Sequence, residues 1–224
     1  MYHVYKDGYN VLPGLTKLGN EPIFQIDDQL EEYLSEKRAC RHQPYQEHEL
    51  DPKIKEKVCQ FVHDRLLIEH PNFKPTLDFS ELAMQIQEDL VIHQVEKDRD
   101  WLACCHVALP GGWAPEEKIG KSFEDIHLPV PGMNAGKSIV RSMLKGPFVR
   151  FVWGPVTQPK LNNHPTLPGK ISGKGVFVKV ERQVLWPFPE TGTVLFTIRP
   201  CVIADPDMPS LFAAIKTKTP EELF

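Results

Sequence analysis

The chain has 224 residues, a quarter of them charged, and a formal net charge of -4. That length buries a full core in one domain with appended elements. Lys and Arg are scattered instead of gathered into a stripe, so the electrostatic footprint of a nucleic-acid binder is missing and no DNA or RNA partner is expected. The five cysteines, Cys40, Cys59, Cys104, Cys105 and Cys201, form no C-x-x-C pair for structural zinc and no ferredoxin-type spacing for an iron–sulfur cluster. A reduced, cytoplasmic protein is the expectation. No signal peptide is recognisable, and no stretch approaches the roughly 20 apolar residues of a membrane span, so no membrane contact is expected.

In chain order, residues 1–50 read as an irregular arm around one helix from Asp28 to about Ala39, entered through Asp27 as N-cap. Asp51 followed by Pro52 opens an amphipathic helix with apolar residues at Ile54, Val58, Phe61, Val62 and Leu66, closed by Pro71. A further helix runs from Phe79 to about Asp89, with Asp78 and Glu81 placed as a capping pair. The period then changes from helix to strand: Val91–Val95 and Trp101–Ala108 are expected to form a hairpin. Proline and glycine break 110–131 into short helical turns starting near Pro115 and Ser122. A regular helix follows over about 135–145, capped by Asn134 and stopped at Gly146. Three strands come next, Phe148–Trp153, Val176–Trp186 and Thr193–Val202, and a short helix over 209–216 ends the chain.

Two strands, a block of short helices, one regular helix and three strands is the order of the PAS architecture. The expected fold is therefore α+β: a PAS-like five-stranded antiparallel sheet with helices on one face and an N-terminal helical extension. The division read from the sequence is 1–77 for the extension, 78–204 for the PAS-like domain and 205–224 for the C-terminal helix and tail.

One strand carries a charge where burial is expected. Reading by twos, Val176, Val178, Val180, Arg182 and Val184 share a face, which sets a guanidinium among valines. An unpaired buried charge costs several kcal/mol, about 3–5 when a partner is removed, so Arg182 implies an internal carboxylate such as Glu81, Glu88 or Asp125, or an anionic ligand. Gly132 to Ser138 is reminiscent of a phosphate-binding loop, but it has one residue too few between its glycines and follows Pro-Val-Pro instead of a strand, so Asn134 reads as a helix cap. The histidines are isolated, without the paired spacing that points two rings at zinc. His127 lies at the end of a short turn before Pro129 and Pro131; a pre-set ring of this kind is either structural or an axial haem ligand. His106 reads as structural, and Cys104 and Cys105 point to opposite faces, which argues against a disulfide between them. Trp113, Lys118 and Arg150 stand at the edges of apolar segments, suited to gripping carboxylate or propionate groups.

Several separated words carry a resemblance. Ile86-Gln-Glu-Asp-Leu90, Leu109-Pro-Gly-Gly-Trp113-Ala-Pro-Glu-Glu-Lys118-Ile-Gly120, Ile126-His127-Leu-Pro-Val-Pro131, Val180-Glu-Arg-Gln183 and Leu195-Phe-Thr-Ile-Arg199 together resemble the haem-dependent oxidative N-demethylase alpha-subunit family (a DUF3445-type domain), over about residues 82–203. The resemblance implies a haem-binding PAS domain acting as a monooxygenase on a small secondary amine with O2. Its electrons would come from separate flavin and iron–sulfur subunits, with no flavin or cluster on this chain. It also implies His127 as the axial iron ligand and Glu181 and Arg182 as polar groups at the pocket, with Arg182 favoured for the haem side. Trp113, Lys118 and Arg150 are then cofactor-binding. Two words depart from the family: Arg150-Phe-Val-Trp153 stands where Arg-x-Asn-Trp is common, and Trp186-Pro-Phe-Pro replaces a basic residue after Glu-Arg-Gln. The rival readings are a non-catalytic PAS module that senses a gas or small ligand, and a haem-free binding protein.

Overall fold

The computed structural model describes residues 14–128, 137–156, 158–167 and 177–203. The Asn134 cap, the glycine-rich word up to Gly136 and the helix expected over 209–216 lie outside them.

Three helices lead in. Helix α1 (Leu30–Arg38) has Gln29 at its N-cap without a side-chain cap. Asp27, expected to cap it, instead accepts from the Gln29 and Gln87 side and receives the Arg199 guanidinium. Helix α2 (Pro52–Glu69) starts as the sequence dictates, with the Asp51 carboxylate accepting the Lys53 N–H and Pro52 at the first position. Helix α3 is shorter than its expected span: Phe79–Ala83, capped by Asp78 on the Glu81 N–H. Its chain turns at once into a strand, because Leu90, Val91 and Ile92 are buried on both sides of a sheet.

That sheet has seven strands, not the expected five, and every pairing is antiparallel. Strands β1 (Thr16–Lys17) and β2 (Tyr45–Glu47) come from the region read as a helical extension. The others are β3 (Asp89–Val95), β4 (Asp100–His106), β5 (Phe148–Val156), β6 (Phe177–Phe188) and β7 (Thr193–Ile203). Their order is β1-β5-β6-β7-β3-β4-β2, so the two added strands are the sheet edges. Both are too short for a period-2 pattern to declare itself, which is why the sequence hides them. Between β4 and β5 lie α4 (Pro115–Lys118), α5 (Phe123–His127) and α6 (Lys137–Met143).

Helical layers cover both faces of the sheet, which corrects the one-face expectation. On one face Val58, Val62 and Leu66 of α2 and Phe79 and Leu82 of α3 pack against Leu90, Ile92, Cys104, Val184 and Leu195. On the other, Phe123, Val140 and Met143 pack against Val91, Cys105, Leu185 and Phe196. Adjacent residues such as Val184 and Leu185, or Cys104 and Cys105, belong to different layers, as strand alternation requires. All five cysteines are free. Among the described residues no helix is long and apolar enough to cross a membrane.

Candidate functional site

The face carrying α4, α5 and α6 gathers five of the six expected site residues. Arg150 of β5 sits directly opposite Gln183 of β6, and Glu181 lies two residues along the same face. Arg150 is 4% exposed. Its Nε donates to Gln183 Oε1 at 2.7 Å, and Gln183 Nε2 donates in turn to Glu181 Oε2 at 2.9 Å. The terminal nitrogens of Arg150 have no hydrogen-bonding partner among the described residues. Burial brings its pKa down to about 10, with the field of Glu181 opposing that shift. Glu181 reaches this position because residue 111 lacks a side chain: a Cβ on Gly111 would stand 2.5 Å from Glu181 Oε1.

His127 closes α5. Ser122 starts that helix by accepting the Asp125 N–H at 3.1 Å, and four residues after Phe123 the imidazole folds back along it. Its Nδ1 bonds to the Phe123 carbonyl at 2.7 Å, and its ring lies 4.1 Å from that of Phe123. A carbonyl only accepts, so Nδ1 carries the proton and Nε2 keeps its lone pair. No described residue hydrogen-bonds Nε2. Burial holds the pKa of this half-buried ring down to about 4, the Phe123 carbonyl opposes it, and the fields of Arg150, His93 and Lys118 act in the same sense as burial. The imidazole is therefore neutral at physiological pH, in the one tautomer that offers Nε2 to a metal. Lys118 donates to the Ile126 carbonyl at 3.0 Å and braces the last turn of α5. Trp113, Ile119 and Ile126 pack as its apolar surroundings.

Arg182 is on the opposite face. It is 1% exposed, and it donates to the carbonyls of Ile23 at 3.2 Å and Pro22 at 2.8 Å and meets the Glu21 carboxylate at 3.3 Å. The carboxylate that meets it is Glu21, which is exposed and belongs to the arm, and not Glu81, Glu88 or Asp125. Arg182, the residue favoured for the haem side, is thus engaged by the N-terminal arm, on the face opposite Glu181, Arg150 and His127. The sequence reading also passed over Gln183, which bridges Arg150 and Glu181, and Phe123, which fixes His127. Gln183 stood inside a quoted word, and period-2 alternation from Glu181 was the available signal. Phe123 could have been found from its i, i+4 spacing to His127.

No three His, Cys, Asp or Glu side chains converge as a metal-ligating group among the described residues; a haem iron needs one protein imidazole, not a cluster. A family model, haem-dependent oxidative N-demethylase, alpha subunit-like, matches residues 54–211, more than half of the chain. The chain belongs to this family. No curated protein matches it. The match spans α2 to beyond β7, so it includes both faces of the sheet and every candidate residue above. The N-demethylase-like word Ile126-His127 thus falls where the structure leaves an imidazole nitrogen unengaged.

Proposed function

We propose that this chain is a haem-binding, PAS-like subunit that oxidises the N-methyl group of a small secondary amine with O2, using electrons from a separate flavin and iron–sulfur partner in the cytoplasm. In balance, R–NH–CH3, O2, two electrons and two protons give R–NH2, formaldehyde and water. The observation that carries the reading is the pairing, on one sheet face, of a neutral His127 and a buried Arg150 whose Nε2 and terminal nitrogens have no hydrogen-bonding partner among the described residues. The PAS-like part is supported by the contiguous block β5-β6-β7-β3-β4, built from two strands, short helices, a further helix and three strands in chain order. Five free cysteines fit a reducing compartment.

These residues fit a haem. When bound, it supplies the activation of O2 and the one-electron chemistry that protein side chains lack. His127 Nε2 would hold the iron, while the Phe123 carbonyl keeps the proton on Nδ1 and makes the ring more basic. Arg150 would take a propionate through its terminal nitrogens, in a buried site where a charged hydrogen bond is strong. Glu181, held by Gln183, offers a carboxylate to a protonated amine, and its closeness to the Arg150 row sets that amine on the same face. Lys118 keeps α5 in place, and Trp113 lines the approach with an apolar ring that excludes water.

The first test is the visible spectrum of the protein expressed with a haem precursor, oxidised and then reduced under carbon monoxide. A Soret band that shifts on reduction is expected, together with amine oxidation when a reductase is added. A featureless spectrum after haem supplementation overturns the assignment, and haem without turnover assigns the chain to ligand sensing.

A further inference from the structure

A β-bulge interrupts the β3–β4 hairpin: the register slips between Ile92, opposite Cys104, and His93, opposite Leu102, so Ala103 is an extra residue on β4. A one-residue slip moves every later side chain of the strand to the other face. Its effect here is specific. Asp100, which unbroken alternation from Cys105 would place on the α2 side, instead shares a face with His93, and the two bond at 2.7 Å between His93 Nε2 and Asp100 Oδ2. The same Oδ2 accepts the Phe123 N–H, also at 2.7 Å, across 23 positions of sequence. The other side-chain helix caps among the described residues are local, from Asp51, Asp78 and Ser122 to residues two or three further on.

Phe123 therefore links the hairpin to the imidazole. Its N–H is held by Asp100, its ring stands edge-on to His93 at 5.9 Å and lies against His127 at 4.1 Å, and its carbonyl takes the His127 Nδ1 proton. Helix α5 has five residues, too few to hold its own direction in water. Two more backbone bonds tie its entry to β4, from Leu102 N to Lys121 O and from Gly120 N to Leu102 O, each 2.9 Å.

We infer that Asp100 and His93 are positioning residues for His127: the bulge places a hydrogen-bonded pair under the first residue of α5, and through Phe123 that pair fixes the tautomer and direction of the ring. The inference rests on the proposed role of His127, but its decisive readout does not need haem. Side-chain 15N resonances of the protein without added haem distinguish Nδ1–H from Nε2–H imidazole. Wild-type His127 is expected in the Nδ1–H form. Asp100→Ala, which deletes both bonds, is expected to mix the tautomers and to weaken haem binding by about ten-fold or more, the usual cost of losing an outer partner of a ligand. Asp100→Asn keeps the shape and an acceptor oxygen, and is expected to fall between. If Asp100→Ala does not fold, Asp100→Asn decides by the same readouts. A ring that stays wholly Nδ1–H in the folded variants overturns the inference, and so does haem affinity within two-fold of wild type. A wild-type protein that takes no haem sinks the proposed function alone and leaves the tautomer experiment to judge the pair.

Discussion

The two faces of the sheet treat buried charge differently. On the α2 side, Arg182 is met by two carbonyls and a carboxylate, Arg199 by the Gln25 carbonyl at 3.1 Å and Asp27 at 2.5 Å, and Glu69 and Glu88 by backbone N–H groups of residues 23–25, with Arg182 Nε and Glu88 Oε2 left over. On the α5 side, Lys179 donates to the carbonyls of Leu109, Pro110 and Leu161, but among the described residues Arg150 has one hydrogen bond and His127 one committed nitrogen. Charge satisfied by its own chain is structure. Arg150 and His127 keep donor and lone-pair capacity that the described residues do not use, as the proposed haem site requires. Strand β6 serves both faces, giving Arg182 to one and Glu181 and Gln183 to the other.

Substitutions can break that contrast, and the largest effect is expected from Arg182→Ala. It leaves the carbonyls of Pro22 and Ile23 without their donor and a cavity among the valines, while the exposed Glu21 carboxylate returns to water, and should cost about 3–5 kcal/mol in denaturant unfolding. Next comes Glu88. Burial raises its pKa from 4.5 to about 7, against the Gln25 N–H and the fields of Arg199 and Lys37. The folded state therefore holds a proton that the unfolded state has released, and stability contributed by this group is present below pH 4.5 and lost as pH rises to about 7. Glu88→Gln should remove that slope, on the order of 3 kcal/mol across the window, as read from melts at several pH values.

On the other face the direction reverses. Arg150→Met removes a buried cation with no carboxylate in contact, so unfolding free energy should stay level or rise by about 1 kcal/mol while haem titration shows affinity falling about ten-fold. A loss of stability as large as that of Arg182→Ala would erase the distinction between the faces. Gly111→Ala should be milder: its Cβ pushes Glu181 aside, raising KM for the amine a few-fold with stability changed by less than about 1 kcal/mol. The smallest effect belongs to the exposed pair of Lys57 and Glu190, where replacing either residue should leave the denaturant midpoint unchanged.

Most of the layout was legible in the chain. Capping chemistry placed the starts of α2 and α3, and alternation placed β3 to β7 within a few residues, because local hydrogen bonding and period suffice for both. What alternation could not do was say which layer would meet which face. Arg182 and Glu181 were known to point apart, but the choice between them depended on the arm of residues 21–27, whose partners lie 45 and more positions away. The same holds for Asp100. Its face is set by a bulge at Ala103, and one extra residue leaves no mark in a run as uniformly apolar as Trp101 to Cys105. His127, by contrast, was findable, since its acceptor is four residues back on its own helix.

The arm itself adds no rung to the sheet. Between Glu21 and Asp27 its backbone is held by side chains from Glu69, Gln87, Glu88, Arg182 and Arg199, so its docking surface does not exist until β7 is in place. The segment precedes all of these residues in the chain, and must wait through the interval of their assembly before it can settle. Through that interval two guanidiniums and two carboxylates wait in water for a stretch of seven residues to cover them, which makes the arm the latch on the finished core and not part of its scaffold.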